Sequence, residues 1–207
     1  MRFQRMGYQL IIAGIILFML LYVIAAAYYP GGSQQNLHSI GFSWRDNYWC
    51  NLLDTMAMNG QFNDAKPIAT VALFLLSVTL GLFWYVFPLS VPMPLMVRIV
   101  IQASGILSML VVVFLLSGVA HDGIINAATL LGLIATSGTL YGLYKRQLIF
   151  YVGWGLLNFV SVAVNAIVYY EKSSLYLLPL IQKFSFVLFL GLIMGICVTM
   201  LRTSKLN

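Results

Sequence analysis

Six stretches of this chain carry no charged residue: 8–29, 68–87, 99–120, 123–144, 147–170 and 184–201. Each is apolar on every face, without the alternation that a lipid-facing β-strand requires. An α-helix rises ~1.5 Å per residue, so roughly 20 residues cross a ~30 Å hydrocarbon core. The pattern predicts an all-α, polytopic membrane protein. One transmembrane domain is expected over residues 1–207, a six-helix bundle with spans near 8–29, 67–87, 98–120, 123–144, 147–170 and 177–201. The first run has a basic start, Arg2 and Arg5, and small residues at Ala25-Ala26-Ala27, as a secretory signal would. Its apolar stretch exceeds the ~7–15 residues of a signal core, so we read it as an uncleaved first helix.

Between the first two spans the pattern changes. Segment 38–67, HSIGFSWRDNYWCNLLDTMAMNGQFNDAKP, gathers Arg45, Asp46, Asp54, Asp64 and Lys66 in a chain that is otherwise almost uncharged. The whole connection, 30–66, is far longer than its neighbours, and long loops are commonly functional. Tyr48, Trp49, Leu52, Leu53 and Met56 recur at helical spacing, with Asp46 placed as a cap and Asn59-Gly60 as a stop signal. These features predict a short interfacial helix over about 47–58, an amphipathic lid with Asn47, Asn51, Asp54 and Met58 on one face.

Composition agrees with a lipid solvent. The chain is 61% hydrophobic and 8% charged, against about 25% charged in soluble domains. The net charge of +6 does not suggest nucleic acid, because the basic residues are scattered at span ends with no basic stripe. They mark orientation instead. The side holding both termini carries seven basic residues, Arg2, Arg5, Arg98, Lys145, Arg146, Arg202 and Lys205; the other carries four, Arg45, Lys66, Lys172 and Lys183. The positive-inside rule then places both termini in the cytoplasm of a cell whose inner membrane holds the protein.

That topology puts every acidic residue, and both His38 and His121, on the outer side. Asp122 and His121 sit in a very short connection near hydrocarbon, where an ionisable group is costly unless paired or facing a polar cavity. Lys183 is expected about two turns below the surface in the last span, snorkelling or paired with Asp54, Asp122 or Glu171. We therefore expect an outer polar pocket lined by Asn47, Asp54, Asn59, Asn63, His121, Asp122, Gln182 and Lys183. Asn158 and Asn165, seven residues apart on one helix face, are expected to glue spans together. Gly138-x-x-x-Gly142 and Gly191-x-x-x-Gly195 suit close helix crossing. Tyr28, Tyr29, Trp44, Trp49, Trp84, Tyr85, Tyr144, Tyr151, Trp154, Tyr169 and Tyr170 fall near span ends, as an interfacial aromatic belt does. Cys50 and Cys197 lie near opposite surfaces and are not expected to pair.

Catalytic motifs are few. No serine-nucleophile elbow, P-loop or dinucleotide fingerprint is present, and no cofactor is implied. The run Asp46-Asn47-Tyr48-Trp49-Cys50 looks somewhat like the alkaline ceramidases, which cluster an acidic residue, Trp-Cys and Asn-Tyr near the first span, here in another order. That resemblance implies a zinc held by three histidines, two of them as His-x-x-x-His on a late helix. This chain has two histidines altogether. A His38, His121 and Asp122 or Asp54 set is the nearest equivalent.

Segment 38–69, together with Ala120-His121-Asp122-Gly123 and Leu180-Ile181-Gln182-Lys183-Phe184-Ser185-Phe186, resembles the uncharacterised six-span bacterial family numbered 998 among the domains of unknown function. Members share a polar segment with Asn-Tyr after the first span, a histidine near the third connection, and Gln-Lys or Gln-Arg opening the last helix. They are distantly similar to the DRAM and Sfk-type membrane proteins associated with lipid organisation. The resemblance implies a lipid-related role and carries no catalytic residues. The expected function is binding or handling of a lipid or other amphiphile at the outer pocket, with membrane lipids as surroundings. Two alternatives stay open: a membrane-embedded, metal-dependent lipid hydrolase, and a structural or assembly partner of another membrane protein or of a second copy.

Overall fold

The computed structural model describes residues 2–117 and 121–203, and the side chains of Ser117, His121 and Lys172 lie outside that description. The described residues form an all-helical structure with six long helices: α1 (Arg2–Ala27), α2 (Lys66–Val86), α3 (Leu95–Val113), α4 (His121–Lys145), α5 (Ile149–Tyr170) and α6 (Leu178–Thr203). Short 3-10 turns extend α2, α3 and the start of α6. Each of the six is long and apolar enough to cross a membrane, and their ends fall up to seven residues from those of the charge-free runs. Among the described residues there is no strand, only two isolated bridges, Gly31 with Ile40 and Met56 with Phe62.

The chain divides into two compact units that cut through the helices: residues 1–16, 74–157 and 190–207 form one, and residues 17–73 and 158–189 the other. The first unit contains both chain ends and the turns 87–94 and 146–148. Its interior is aliphatic and aromatic, with Phe83, Trp84 and Phe87 stacked edge-to-face or in parallel beside Ile11, Ile15, Ile101, Leu192, Ile193 and Ile196. Glycines set the helix spacing. A Cβ on Gly195 would come 2.9 Å from the Tyr151 ring and one on Gly191 3.1 Å from Trp154; one on Gly138 would overlap Ile101 of α3, while Gly142 lies against the 87–94 turn. The small-residue patterns therefore serve crossings within this chain. Tyr151 reinforces one of them, its hydroxyl lying 3.0 Å from the Gly195 carbonyl and 2.8 Å from Thr199 Oγ1.

Polar side chains bind the turns of this unit. Gln4 Nε2 donates to the Leu89 carbonyl at 2.8 Å, and Arg146 donates to the Ser90 carbonyl at 2.5 Å. Helix α4 ends in paired bonds from Leu148 N–H to Leu143 O and from Gln147 N–H to Tyr144 O. Gln147 takes the left-handed conformation that such an ending demands, at φ 59°.

The second unit holds the long loop, residues 28–65, with the adjoining ends of α1, α2, α5 and α6. Asn165 on α5 donates to Ser185 Oγ on α6 at 2.6 Å, the helix-to-helix role expected of it. The aromatic belt needs correction at three positions besides Tyr151 and Trp154, which pack against α6. Tyr28, Trp44, Tyr85, Tyr144, Tyr169 and Tyr170 are exposed, but Tyr29 and Trp84 are buried, and Trp49 is packed into an aromatic cluster. Proximity to a span end does not say which way a ring points. These three face inward, where their large apolar area is removed from solvent.

Candidate functional site

The long loop folds as a cap built from asparagine side chains. It contains a 3-10 turn, Trp49–Leu53, in place of the twelve-residue α-helix expected over 47–58. The reason is Asn63. Its Nδ2 donates to the carbonyl oxygens of Asn51 (3.0 Å), Leu52 (3.3 Å) and Asp54 (2.8 Å). In an α-helix those carbonyls would accept from the amides of Thr55, Met56 and Met58. With the acceptors taken, the chain turns extended at Asp54, and the Met58 amide donates to the Tyr29 hydroxyl oxygen at 3.0 Å. Asn63 Oδ1 in turn accepts the Ala65 amide at 3.1 Å, just before α2 begins.

Asn59-Gly60, read as a helix stop, is a hairpin tip. Ala57 N–H bonds Gln61 O at 2.8 Å and Gly60 N–H bonds Ala57 O at 2.9 Å. Gly60 sits at φ 82°, the left-handed residue that a three-residue hairpin loop requires. A second doubled-back segment precedes it, where Gly32 N–H donates to Ser39 O at 2.8 Å. Asp46, placed by sequence as a forward cap, binds backwards instead: Ser43 Oγ donates to Asp46 Oδ2 at 2.8 Å, with Arg45 3.8 Å away.

Asn47 is the hub. It is fully buried; its Oδ1 accepts the Ser43 amide and its Nδ2 donates to Gly32 O, both at 2.8 Å. Asn51 Oδ1 takes the Tyr48 amide at 2.8 Å and Gln34 Nε2 at 3.2 Å. From α6, the Lys183 ammonium donates to the backbone carbonyl of Asn47 and, at 3.1 Å, to that of Pro179. It also lies 5.6 Å from the centroid of the Phe42 ring. Lys183 is 8% exposed. It has therefore not snorkelled: carbonyl dipoles and an aromatic face, both able to stabilise a cation, surround it.

Below the cap lies an aromatic cluster. Trp49 stacks on Tyr22 at 4.8 Å and packs against Phe186 at 5.0 Å and Phe18 at 6.1 Å. Two polar atoms here are buried without a partner, the Trp49 Nε1 donor and the Gln182 Oε1 acceptor. Gln182 stands one helical turn from Phe186, on the same face of α6. Sequence could not have picked out Trp49, because the belt reading accounts for any tryptophan near a span end.

Of the eight residues expected to line a pocket, Asn47, Asn63 and Lys183 come together in the cap network with Gln182 on the adjoining turn of α6. Asn59 is half-buried at the hairpin tip, where its Oδ1 accepts the Gln61 amide at 3.0 Å. Asp54 is exposed at the end of the 3-10 turn. Asp122 is exposed in the first turn of α4, which belongs to the other unit. The His121 side chain lies outside the described residues, and with it the two-histidine metal set.

Burial, more than the nearby Asp54 carboxylate, pushes the Cys50 thiol up to about 11. The hydroxyls of Tyr29 and Tyr48 are also pushed above their ordinary value, chiefly by burial. Both cysteines are free thiols. Among the described residues no three His, Cys, Asp or Glu side chains gather in a group able to hold a metal ion. Compared with known proteins, the chain matches no family model, no curated protein and no solved structure.

Proposed function

We propose that this chain is a multi-pass protein of the bacterial inner membrane, termini in the cytoplasm, whose outer cap binds the hydroxyl-bearing head of an amphiphile. The observation that carries the reading is the pair of buried, unpartnered atoms, Trp49 Nε1 and Gln182 Oε1. Buried polar groups are nearly always satisfied, and an exception needs an explanation. A hydroxyl accepting from the indole and donating to the amide oxygen would satisfy both. The rings of Phe18, Tyr22 and Phe186 around Trp49 supply the apolar surface for the body of such a ligand. Asn47 and Asn63 take no part in this contact, because their amides already hold the cap. Their task is to fix the indole in place.

Binding is better supported than catalysis. Burial raises the Cys50 thiol above its ordinary value, which lowers its thiolate fraction at neutral pH and makes it a weaker nucleophile. The test is mass spectrometry of lipids retained after purification in mild detergent. Trp49→Phe keeps the ring and removes the donor, and Gln182→Leu removes the acceptor. Both variants are expected to lose a lipid species that the wild type retains. Unchanged retention in both would end the proposal.

A second reading, docking of a membrane partner protein, has its own observation. Ile40 is 98% exposed, and Leu37, Met56 and Phe62 are also exposed on the cap. A photo-crosslinker at position 40 that gives one discrete protein adduct, with lipid retention unaffected by Trp49→Phe, would favour it.

A further inference from the structure

We infer that the cleft between the first turns of α1 and the last turns of α6 binds an anionic phospholipid of the cytoplasmic leaflet. The inference rests on the membrane reading above, but not on the cap. The cleft has a volume of about 200 Å³ and is lined by Arg5, Gln9, Val198, Leu201 and Arg202. Arg5 and Gln9 lie one turn apart on α1, and Val198 and Arg202 one turn apart on α6, so each helix contributes one coherent face.

The chemistry is that of a phosphodiester above an acyl chain. Two arginines line the cleft, and a guanidinium can grip phosphate oxygens with paired N–H groups. The Gln9 amide can bond ester or glycerol oxygens, and Val198 and Leu201 make the apolar wall that a free inorganic anion would not need. Of the five acidic residues, Asp46, Asp54, Asp64 and Glu171 belong to the other unit, and Asp122 stands in the first turn of α4. Among the described residues neither Arg5 nor Arg202 forms an ion pair with a carboxylate. Arg202 also stands in the last turn of α6, where it offsets the partial negative charge of the helix end. That role needs neither Arg5 nor a cleft. The walls are held independently: Gln4 anchors α1 to the Leu89 carbonyl, and Tyr151 anchors α6 through Gly195 and Thr199.

The experiment titrates purified full-length protein in neutral detergent with phosphatidylglycerol, phosphatidylcholine and inorganic phosphate, read by native mass spectrometry. Phosphatidylglycerol is expected to bind in preference to phosphatidylcholine. Arg5→Gln and Arg202→Gln should each weaken it about fivefold, and the double variant more than tenfold. Both side chains are exposed, so the thermal midpoint should not move. Millimolar phosphate should not displace the lipid; displacement would mark a free-anion site and overturn the assignment. Equal affinity for the two lipids, or wild-type affinity in the double variant, would also overturn it. So would an equal loss on Arg45→Gln in the outer loop, which would reduce the effect to overall charge. Trp49→Phe should leave phosphatidylglycerol binding intact, so failure of the cap reading is distinguishable from failure here.

Discussion

The ammonium of Lys183 donates to the carbonyl oxygen of Asn47, joining α6 to the middle of the loop between α1 and α2. A buried cation on a carbonyl is a directional contact, and its removal leaves a carbonyl dipole without its charged partner. Lys183→Met, which keeps the length of the side chain, is therefore expected to destabilise the cap by roughly 1–3 kcal/mol. Limited proteolysis of intact protein in detergent should show earlier cleavage within residues 30–66. The helices, held by their own packing, should be cut no faster.

Asn63 makes a sharper prediction. Asn63→Ala removes the donor to three carbonyls and the acceptor for Ala65, an expected loss of about 2–4 kcal/mol when buried groups are left unpaired. Asn63→Asp keeps the acceptor but sets a negative carboxylate against the same three oxygens. It should be at least as damaging as alanine, measured as the thermal midpoint of the cap transition. If the aspartate variant were as stable as wild type, the network described here would be wrong.

Cys50 gives the pH dependence. Its thiol is raised to about 11, so the folded state keeps a proton that the unfolded chain releases near its ordinary value. Between roughly pH 9 and 11 the folded state binds more protons than the unfolded one, and stability falls with rising pH. Below pH 9 the contribution is complete. In a Cys197→Ala background, alkylation by iodoacetamide should keep accelerating up to about pH 11 and be slow at neutral pH. A rate that levels off near pH 9 would contradict the burial.

Gly195 separates packing from association. Gly195→Val would press a branched side chain onto the Tyr151 ring, and overpacking of this kind costs about 1–3 kcal/mol. The thermal midpoint should drop while the oligomeric mass, measured by light scattering, stays as in wild type. A change of mass at unchanged stability would move this glycine to an interface between chains.

The six long helices were legible because each uncharged apolar run is long enough to need one. The 66–86 helix was anticipated at 67–87 and the 149–170 helix at 147–170. The helix-to-helix role of Asn165 was legible too, since an amide inside an apolar run has few other uses. The cap was not. Tyr48, Leu52 and Met56 carry a helical period, but Asn63, nine residues beyond Asp54, takes the carbonyls that a helix would need. That competition is not local, and no window on 47–58 contains it. The partner of Lys183 was hidden for a related reason: every residue offers a carbonyl, so pattern reading looks for carboxylates and misses backbone oxygens.

Asn47 and Lys183 stand 136 residues apart along the chain. At ribosomal rates of about 5–20 residues per second, roughly 7 to 27 seconds separate their synthesis. Throughout that interval the nascent loop lacks its anchor, and only the arrival of α6 can fasten it. Closure of the loop thus becomes one of the last events in making the chain, which makes a fastened loop a natural signal of a finished fold.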